Sequence, residues 1–255
     1  MPRADSRIAT MRAIGSSNYI VEVHLEREDV PSFDEFPFSV PSIRELYELE
    51  FPKPVTFLVG ENGSGKSTII EALAVASGFS EEGGTRNMDF VERRSQSGLH
   101  QYLRLVRSPR RPGDGFFLRA ESFYNVATMI DELGATPWYG GKSLHAQSHG
   151  EAFLTLLTEK FVGGGLYILD EPEAALSPAR QMAMLARMHE LVVDASQFII
   201  ATHSPIILGY PDAWIYLTTP KGLERIEYEE TDHFQVTRNF LNHRPVFLET
   251  LLADE

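Results

Sequence analysis

The sequence predicts an α/β fold, a mostly parallel sheet flanked by helices with an antiparallel β portion beside it. Three observations lead there. Residues 55–59 (Val-Thr-Phe-Leu-Val) form a short apolar run between Pro54 and Gly60, and a glycine loop then leads into an Ala-rich stretch, 68–76, without a breaker; strand, loop and helix follow in that order. Residues 166–170 and 198–201 are two more short apolar runs, each followed by polar residues and separated by helical spacing, as expected of strands buried in a parallel sheet. Residues 19–25 and 99–106 alternate apolar and polar side chains instead, as half-buried strands do.

Taken in order, 28–41 is acidic, aromatic and proline-punctuated, and reads as a loop with an edge strand near 36–40. Residues 43–49 suggest a helical turn leading to the first buried strand. Gly78 ends the first helix, and 78–87 is a polar loop. Residues 107–115 are turn chemistry throughout, 116–120 resume as a strand, 126–133 read as a short helix, and 134–141 break it. Ser177 and Pro178 supply an N-cap and a first helical residue. Met182, Leu185, Met188 and Val192 follow at helical spacing and read as core. Residues 214–217 and 223–228 flank Thr219-Pro220-Lys221-Gly222 as a hairpin, and two short helices are expected at 236–241 and 246–252. The expectation is one domain, 1–255, with a small lobe inserted at about 79–150.

With 255 residues, 43% hydrophobic and 23% charged, the chain has an ordinary globular composition and can bury a sizeable core. A net charge of -13 argues against bulk, sequence-independent attraction to DNA or anionic lipid. The absence of cysteine excludes disulfides, thiolate metal sites and a cysteine nucleophile. Residues 1–10 have no apolar core of a signal peptide, and no run approaches the ~20 apolar residues of a membrane span. A cytoplasmic protein without direct membrane insertion is therefore expected. Against the acidic background stand Arg93, Arg94, Arg104, Arg107, Arg110, Arg111 and Arg119. They read either as a solvated face paired with carboxylates or as a local patch for a nucleic-acid or protein partner.

The chemistry centres on Gly60-Glu61-Asn62-Gly63-Ser64-Gly65-Lys66-Ser67-Thr68, which fits G-x-x-x-x-G-K-[ST] between a strand and a helix. Such glycines let backbone N–H groups curl around phosphates, and the helix N-terminus adds partial positive charge. Lys66 would reach the β- and γ-phosphates of a nucleotide, and the Ser67 hydroxyl would hold Mg²⁺. Asp170 and Glu171 end an apolar strand; Asp170 would hold the metal and Glu171 would polarise an attacking water. His203, at the end of another strand, is either a satisfied structural residue or a γ-phosphate contact. Ser148-His149-Gly150-Glu151 before an apolar helix is a capping box whose helix N-terminus could also face an anion.

In this order the pieces resemble an ABC-type ATPase, and are most similar to soluble predicted ATPases of the AAA family grouped with SMC-like and recombination-type ATPases. Gly60 to Thr68 looks like the Walker A motif and Leu166 to Glu171 the Walker B. Pro172 to Ser177 resembles the D-loop, with Ser177 where many members carry aspartate, and Ala201 to Pro205 resembles the histidine switch. Residues 147–151 occupy the place of the signature, departing from it at His149. The resemblance implies ATP and Mg²⁺ as ligands, with Glu171, His203 and Lys66 in catalysis. It implies a head-to-tail, ATP-dependent homodimer in which Ser148 and Gly150 touch the nucleotide of the second subunit. An unidentified protein partner would then harness the cycle in DNA repair, defence or a similar process. The alternatives are the ATP-binding subunit of a membrane transporter and a slow-turnover nucleotide sensor. Glu121, Ser122 and Asn125 are the polar residues at the Q-loop position, and Tyr19 and Tyr47 the aromatics offered to adenine.

Overall fold

The computed structural model describes residues 18–85, 97–139 and 141–253. Its strands and helices are, in chain order, β1 (Ile20–Leu25), α1 (Pro41–Arg44), β2 (Glu48–Glu50), β3 (Val55–Val59), α2 (Lys66–Ala76), β4 (Leu103–Arg107), β5 (Asp114–Arg119), α3 (Phe123–Glu132), α4 (His149–Thr155), β6 (Gly165–Asp170), α5 (Pro178–Val193), β7 (Gln197–Ala201), α6 (Pro205–Leu208), β8 (Trp214–Thr219), β9 (Gly222–Ile226) and α7 (Asp232–Leu251).

Six strands form the main sheet in the order β5-β6-β7-β3-β8-β9, and β2-β1-β4 form a second, three-stranded sheet. The main sheet is parallel except for the β8–β9 hairpin, and the small sheet is antiparallel. Every residue of β3, β6 and β7 is buried, which explains why these strands are apolar runs rather than alternating ones. Their side chains divide by strand parity. Phe57, Val59, Phe116, Tyr167, Leu169, Phe198 and Ile200 pack against α3, α4, α5 and α6. Leu58, Phe117, Ile168 and Ile199 pack on the other face against α2 and the small sheet. Each such fully buried side chain stabilises the fold by about 1.5–3 kcal/mol. Gln197 stitches the two sheets together: its side-chain oxygen accepts from the backbone of Tyr19 and Ile20 at 2.8 and 2.9 Å, and its amide donates to Ile20 O at 2.9 Å.

Several expectations are corrected. No edge strand forms at 36–40; Ser39 N–H donates to Glu35 O and Val40 N–H to Pro37 O, so local turns satisfy the backbone, and Phe38 enters the core. The turn expected over 43–49 splits into α1, with Pro41 at its first position, and β2, which pairs with β1. The strand placed at 99–106 starts at Leu103, because residues 99–102 form a 3₁₀ turn that seats Leu99 in the core. On α5 the buried stripe is Met184, Met188, Leu191 and Val192, while Met182 is 58% exposed. The two helices expected at 236–241 and 246–252 are present as the two halves of α7, which meet at a kink where Pro245 removes a backbone donor and His243 leaves helical geometry. Within the segment 79–150, β4 pairs with β1 and β5 with β6, while Phe123, Val126, Ile130 and Leu144 join the main core. Among the described residues no helix is long and apolar enough to cross a membrane.

Candidate functional site

The parallel strands β3, β6 and β7 end side by side, so the polar residues after each apolar run are delivered to one edge of the sheet. The loop leaving β3 is shaped by close approach. Gly60 has φ 142° and a Cβ there would lie 1.9 Å from Thr218 Oγ1; Gly65 has φ 97° and a Cβ would meet Ser42 Oγ at 2.6 Å. Both positions therefore demand glycine. Glu61, Asn62 and Gly63 form the exposed tip of the loop. Ser64 Oγ shares a 2.6 Å hydrogen bond with Thr218 Oγ1. Lys66 folds over the loop and donates to Gly60 O and Glu61 O, both at 2.8 Å. Burial lowers the pKa of its ammonium, with Glu171 and Asp170 opposing. The next residues, Ser67 and Thr68, sit half-buried in the first turn of α2.

Ser67 Oγ donates to Asp170 Oδ1 at 3.1 Å, joining the loop to the end of β6. Asp170 is 6% exposed, and burial pushes its carboxyl up to about 6 against the pull of Arg119 and Ser67. A hydroxyl and a carboxylate at this spacing are hard oxygen donors of the kind Mg²⁺ takes in small number beside substrate phosphates. Glu171 follows in the left-handed region at φ 51°, rare for a residue with a side chain, and is anchored by its N–H to Ala201 O at 2.9 Å. His203 Nε2 lies 3.6 Å from Glu171 Oε1 and is buried without a hydrogen-bond partner among the described residues. Such an orphaned donor or acceptor is costly, and a ligand between the loop and β7 would satisfy it.

Three residues of this cluster escaped the sequence reading. Arg119 was grouped with the basic patch, but the β5–β6 register sets it beside Asp170; its Nε is 3.8 Å from Asp170 Oδ2 and its Nη1 2.7 Å from Glu71 Oε2. Its place at the end of an apolar strand was the available signal. Glu173 accepts from Thr202 Oγ1 at 2.7 Å and from the His203 N–H at 2.5 Å, holding the β7 end against the turn after β6, and burial raises its pKa. His233 lies thirty residues from His203 in sequence; their Nε2 and Nδ1 atoms are 2.9 Å apart. Burial lowers the pKa of both rings, favouring their neutral forms. Nothing local marks His233, because the contact depends on where α7 begins.

Other expected residues are placed elsewhere. Ser148 is exposed, and Gly150 is buried against Ala175 O and Arg180, which a Cβ would meet at 2.5 and 2.6 Å; neither has a hydrogen bond to the 60–68 loop among the described residues. The capping box of α4 is formed. Glu151 accepts from the Ser148 N–H at 3.0 Å and its hydroxyl at 2.7 Å. Ser122 and Asn125 turn to Glu82, bonding its carbonyl and its carboxylate, while Glu121 stays 3.8 Å from Arg119. Tyr19 is 5% exposed and its hydroxyl donates to Ala195 O, so it offers no face to a base. Tyr47 is exposed but carries the Arg27 guanidinium 4.3 Å from its ring centroid. Arg93 and Arg94 lie outside the described residues.

Comparison with known proteins finds the following likenesses. A family model described as an AAA domain matches residues 39–101. The chain is 24% identical over 171 residues to the ABC transporter G family member STR2 of Medicago truncatula, covering 59% of this chain and 24% of that protein. It is 35% identical over 72 residues to the DNA repair protein RAD50 of Drosophila melanogaster, covering 28% and 6%. It is 25% identical over 180 residues to the zinc import ATP-binding protein ZnuC of Paracoccus denitrificans, covering 66% of each. The chain thus spans a quarter or less of the length of the first two. Among solved structures, cbiO1 of Clostridium perfringens aligns with a TM-score of 0.49 at 16% identity, covering 90% and 97% of the two chains. The SMC head domain of Thermotoga maritima aligns at 0.39 and 19%, covering 71% and 92%.

Proposed function

We propose that this chain, whose fold is that of an ABC-type P-loop ATPase, binds ATP with Mg²⁺ and hydrolyses it as a head-to-tail dimer. The supporting observation is the convergence of Lys66, the Ser67–Asp170 pair, Glu171 and His203 on one sheet edge, with a buried His203 nitrogen that has no hydrogen-bond partner among the described residues. The loop 60–68 wraps the phosphates through backbone N–H groups, and Lys66 exchanges its two carbonyl partners for phosphate oxygens. Ser67 and Asp170 hold Mg²⁺, which when bound neutralises phosphate charge. Glu171 orients the attacking water and takes its proton. His203 donates from Nε2 to the γ-phosphate, and His233 sets that tautomer: its Nε2–H donates to His203 Nδ1, leaving the His203 proton on Nε2. His233 is thus a positioning residue. Ser148 and Gly150 complete the site of a second copy, and the domain is a single unit working in the cytoplasm.

For the process served, the RAD50 likeness, 35% over 72 residues, supports a partner of the DNA repair or defence kind, and the ZnuC likeness, 25% over 180 residues, supports a transport subunit. The experiment is Glu171→Gln. This variant should retain ATP affinity, hydrolyse at least about 10²-fold more slowly, the scale of a lost general base, and accumulate as a dimer with ATP and Mg²⁺ in light scattering. Normal turnover removes the role of Glu171; a slow but monomeric variant removes the dimer.

A further inference from the structure

The five described arginines between 104 and 119 fall into two groups. Arg104 pairs with Glu26 at 2.5 Å and Arg119 with Glu71 at 2.7 Å. Arg107, Arg110 and Arg111 have no carboxylate within ion-pair distance among the described residues, in a chain with 36 acidic and 23 basic side chains. The neighbouring acid, Asp114, is taken by Lys160 at 3.5 Å and the Tyr167 hydroxyl at 3.1 Å. The three unpaired guanidiniums line one cavity of about 570 Å³, with Ser77, Ser108 and Leu166 also in its wall. That volume is in the range of small-molecule sites. The Ser108 hydroxyl oxygen is out of solvent and has no hydrogen-bond partner among the described residues. Arg107 donates to Ala76 O at 2.8 Å, neutralising the negative end of α2 where it meets the cavity.

Three like charges along one cavity repel one another, and Asp194, whose charge reaches Tyr19 in the same wall, forms no ion pair with them among the described residues. A compact polyanion removes the repulsion. We propose that this cavity is a second ligand site, for a small phosphorylated molecule carrying at least two anionic phosphate groups. Arg110 and Arg111 clamp the phosphates. The site lies at the far ends of the two elements that build the nucleotide edge. Leu166 in its wall is four residues along β6 from Asp170, about 13 Å at the strand rise. Ser77 follows the end of α2 opposite Lys66, about 16 Å away at the helical rise. An occupant therefore touches both elements without touching the 60–68 loop.

The test is calorimetric titration of inorganic pyrophosphate at low ionic strength into the wild-type chain, Lys66→Ala and Arg110→Glu/Arg111→Glu. Lys66→Ala disables the loop and isolates the second site. It should still bind pyrophosphate. Adding Arg110→Glu/Arg111→Glu in that background should weaken binding at least tenfold with the melting temperature unchanged. Arg110→Gln/Arg111→Gln should give an intermediate loss and guards against an effect of the new acids. Loss of all binding in Lys66→Ala overturns the proposal, as does binding indifferent to Arg110 and Arg111. A single-stranded oligonucleotide that binds through these arginines when pyrophosphate at millimolar concentration does not would also overturn it, since the site would then belong to a polymer.

Discussion

Helices α2 and α4 both begin at a segment that the sequence offers to phosphate, and they differ in what already fills it. No side chain caps the first turn of α2, whose third residue is Thr68. The third residue of α4 is Glu151, which reaches back to the Ser148 N–H and hydroxyl and is braced by Arg180 at 3.3 Å. One helix end is open and carries a cation; the other is closed by its own anion. A helix N-terminus thus becomes an anion site only where the chain does not supply the anion itself. For Ser148 to meet a second subunit's phosphate, Glu151 must give way.

The largest effect should come from the open end. Lys66→Ala should weaken ATP binding about 100-fold, the scale of charge-assisted bonds worth about 3 kcal/mol; calorimetry showing unchanged affinity would erase the contrast between the helices. The next tests whether the closed end opens in a dimer. Ser148→Arg should be nearly inactive alone, as should Lys66→Ala, yet mixing them should restore roughly a quarter of wild-type turnover. Random pairing makes half the dimers mixed, and each mixed dimer has one intact composite site. Normal hydrolysis by Ser148→Arg alone would leave Ser148 as a helix cap and nothing more.

A smaller effect is expected at His233. His233→Ala should lower turnover about fivefold, the scale of one hydrogen bond of about 1 kcal/mol, with ATP affinity unchanged. Gln, whose amide can donate from the place of Nε2, should restore most of the rate. Glu, which can only accept when ionised, should not. Equal rates in the Gln and Glu variants would show that only packing matters there.

The smallest concerns Glu151→Gln. The Ser148 hydroxyl, then its N–H, hold the Glu151 carboxyl below the ordinary carboxylate range, with Arg180 adding to the shift. A depressed folded pKa gives stability that is complete above the unfolded value of about 4.3 and is lost as pH falls through the folded one. The melting temperature of Glu151→Gln should therefore lie slightly below wild type near neutral pH, and the two should converge in acid. A difference that persists at pH 2 would trace to something other than the carboxylate.

Much of the cluster at the ends of β3, β6 and β7 was legible because its residues follow local rules. Residues 55–59 could only be a strand between Pro54 and Gly60, the loop announces itself by its glycines, and Asp170–Glu171 end an apolar run. What failed to read were residues whose partners arrive from elsewhere. Arg119 looked like one of a basic cluster, yet parallel pairing of β5 with β6 sets it opposite Asp170. Met182 shares helical spacing with true core residues but falls on the outer side of α5. The alternation at 99–106 was real, although its first half is a turn rather than a strand.

The sequence by itself determined the order strand, glycine loop, helix, the apolar strands that end in acids, and the closed cap at Ser148, because each depends on backbone geometry or on side chains within a few residues. Only the tertiary structure decided that Ser67 meets Asp170, that His203 is held by His233, and that Arg107, Arg110 and Arg111 surround one cavity while Arg119 leaves for another site. Those pairings join residues that strand order and helix docking bring together, and no local propensity encodes a distance between chain segments far apart in sequence.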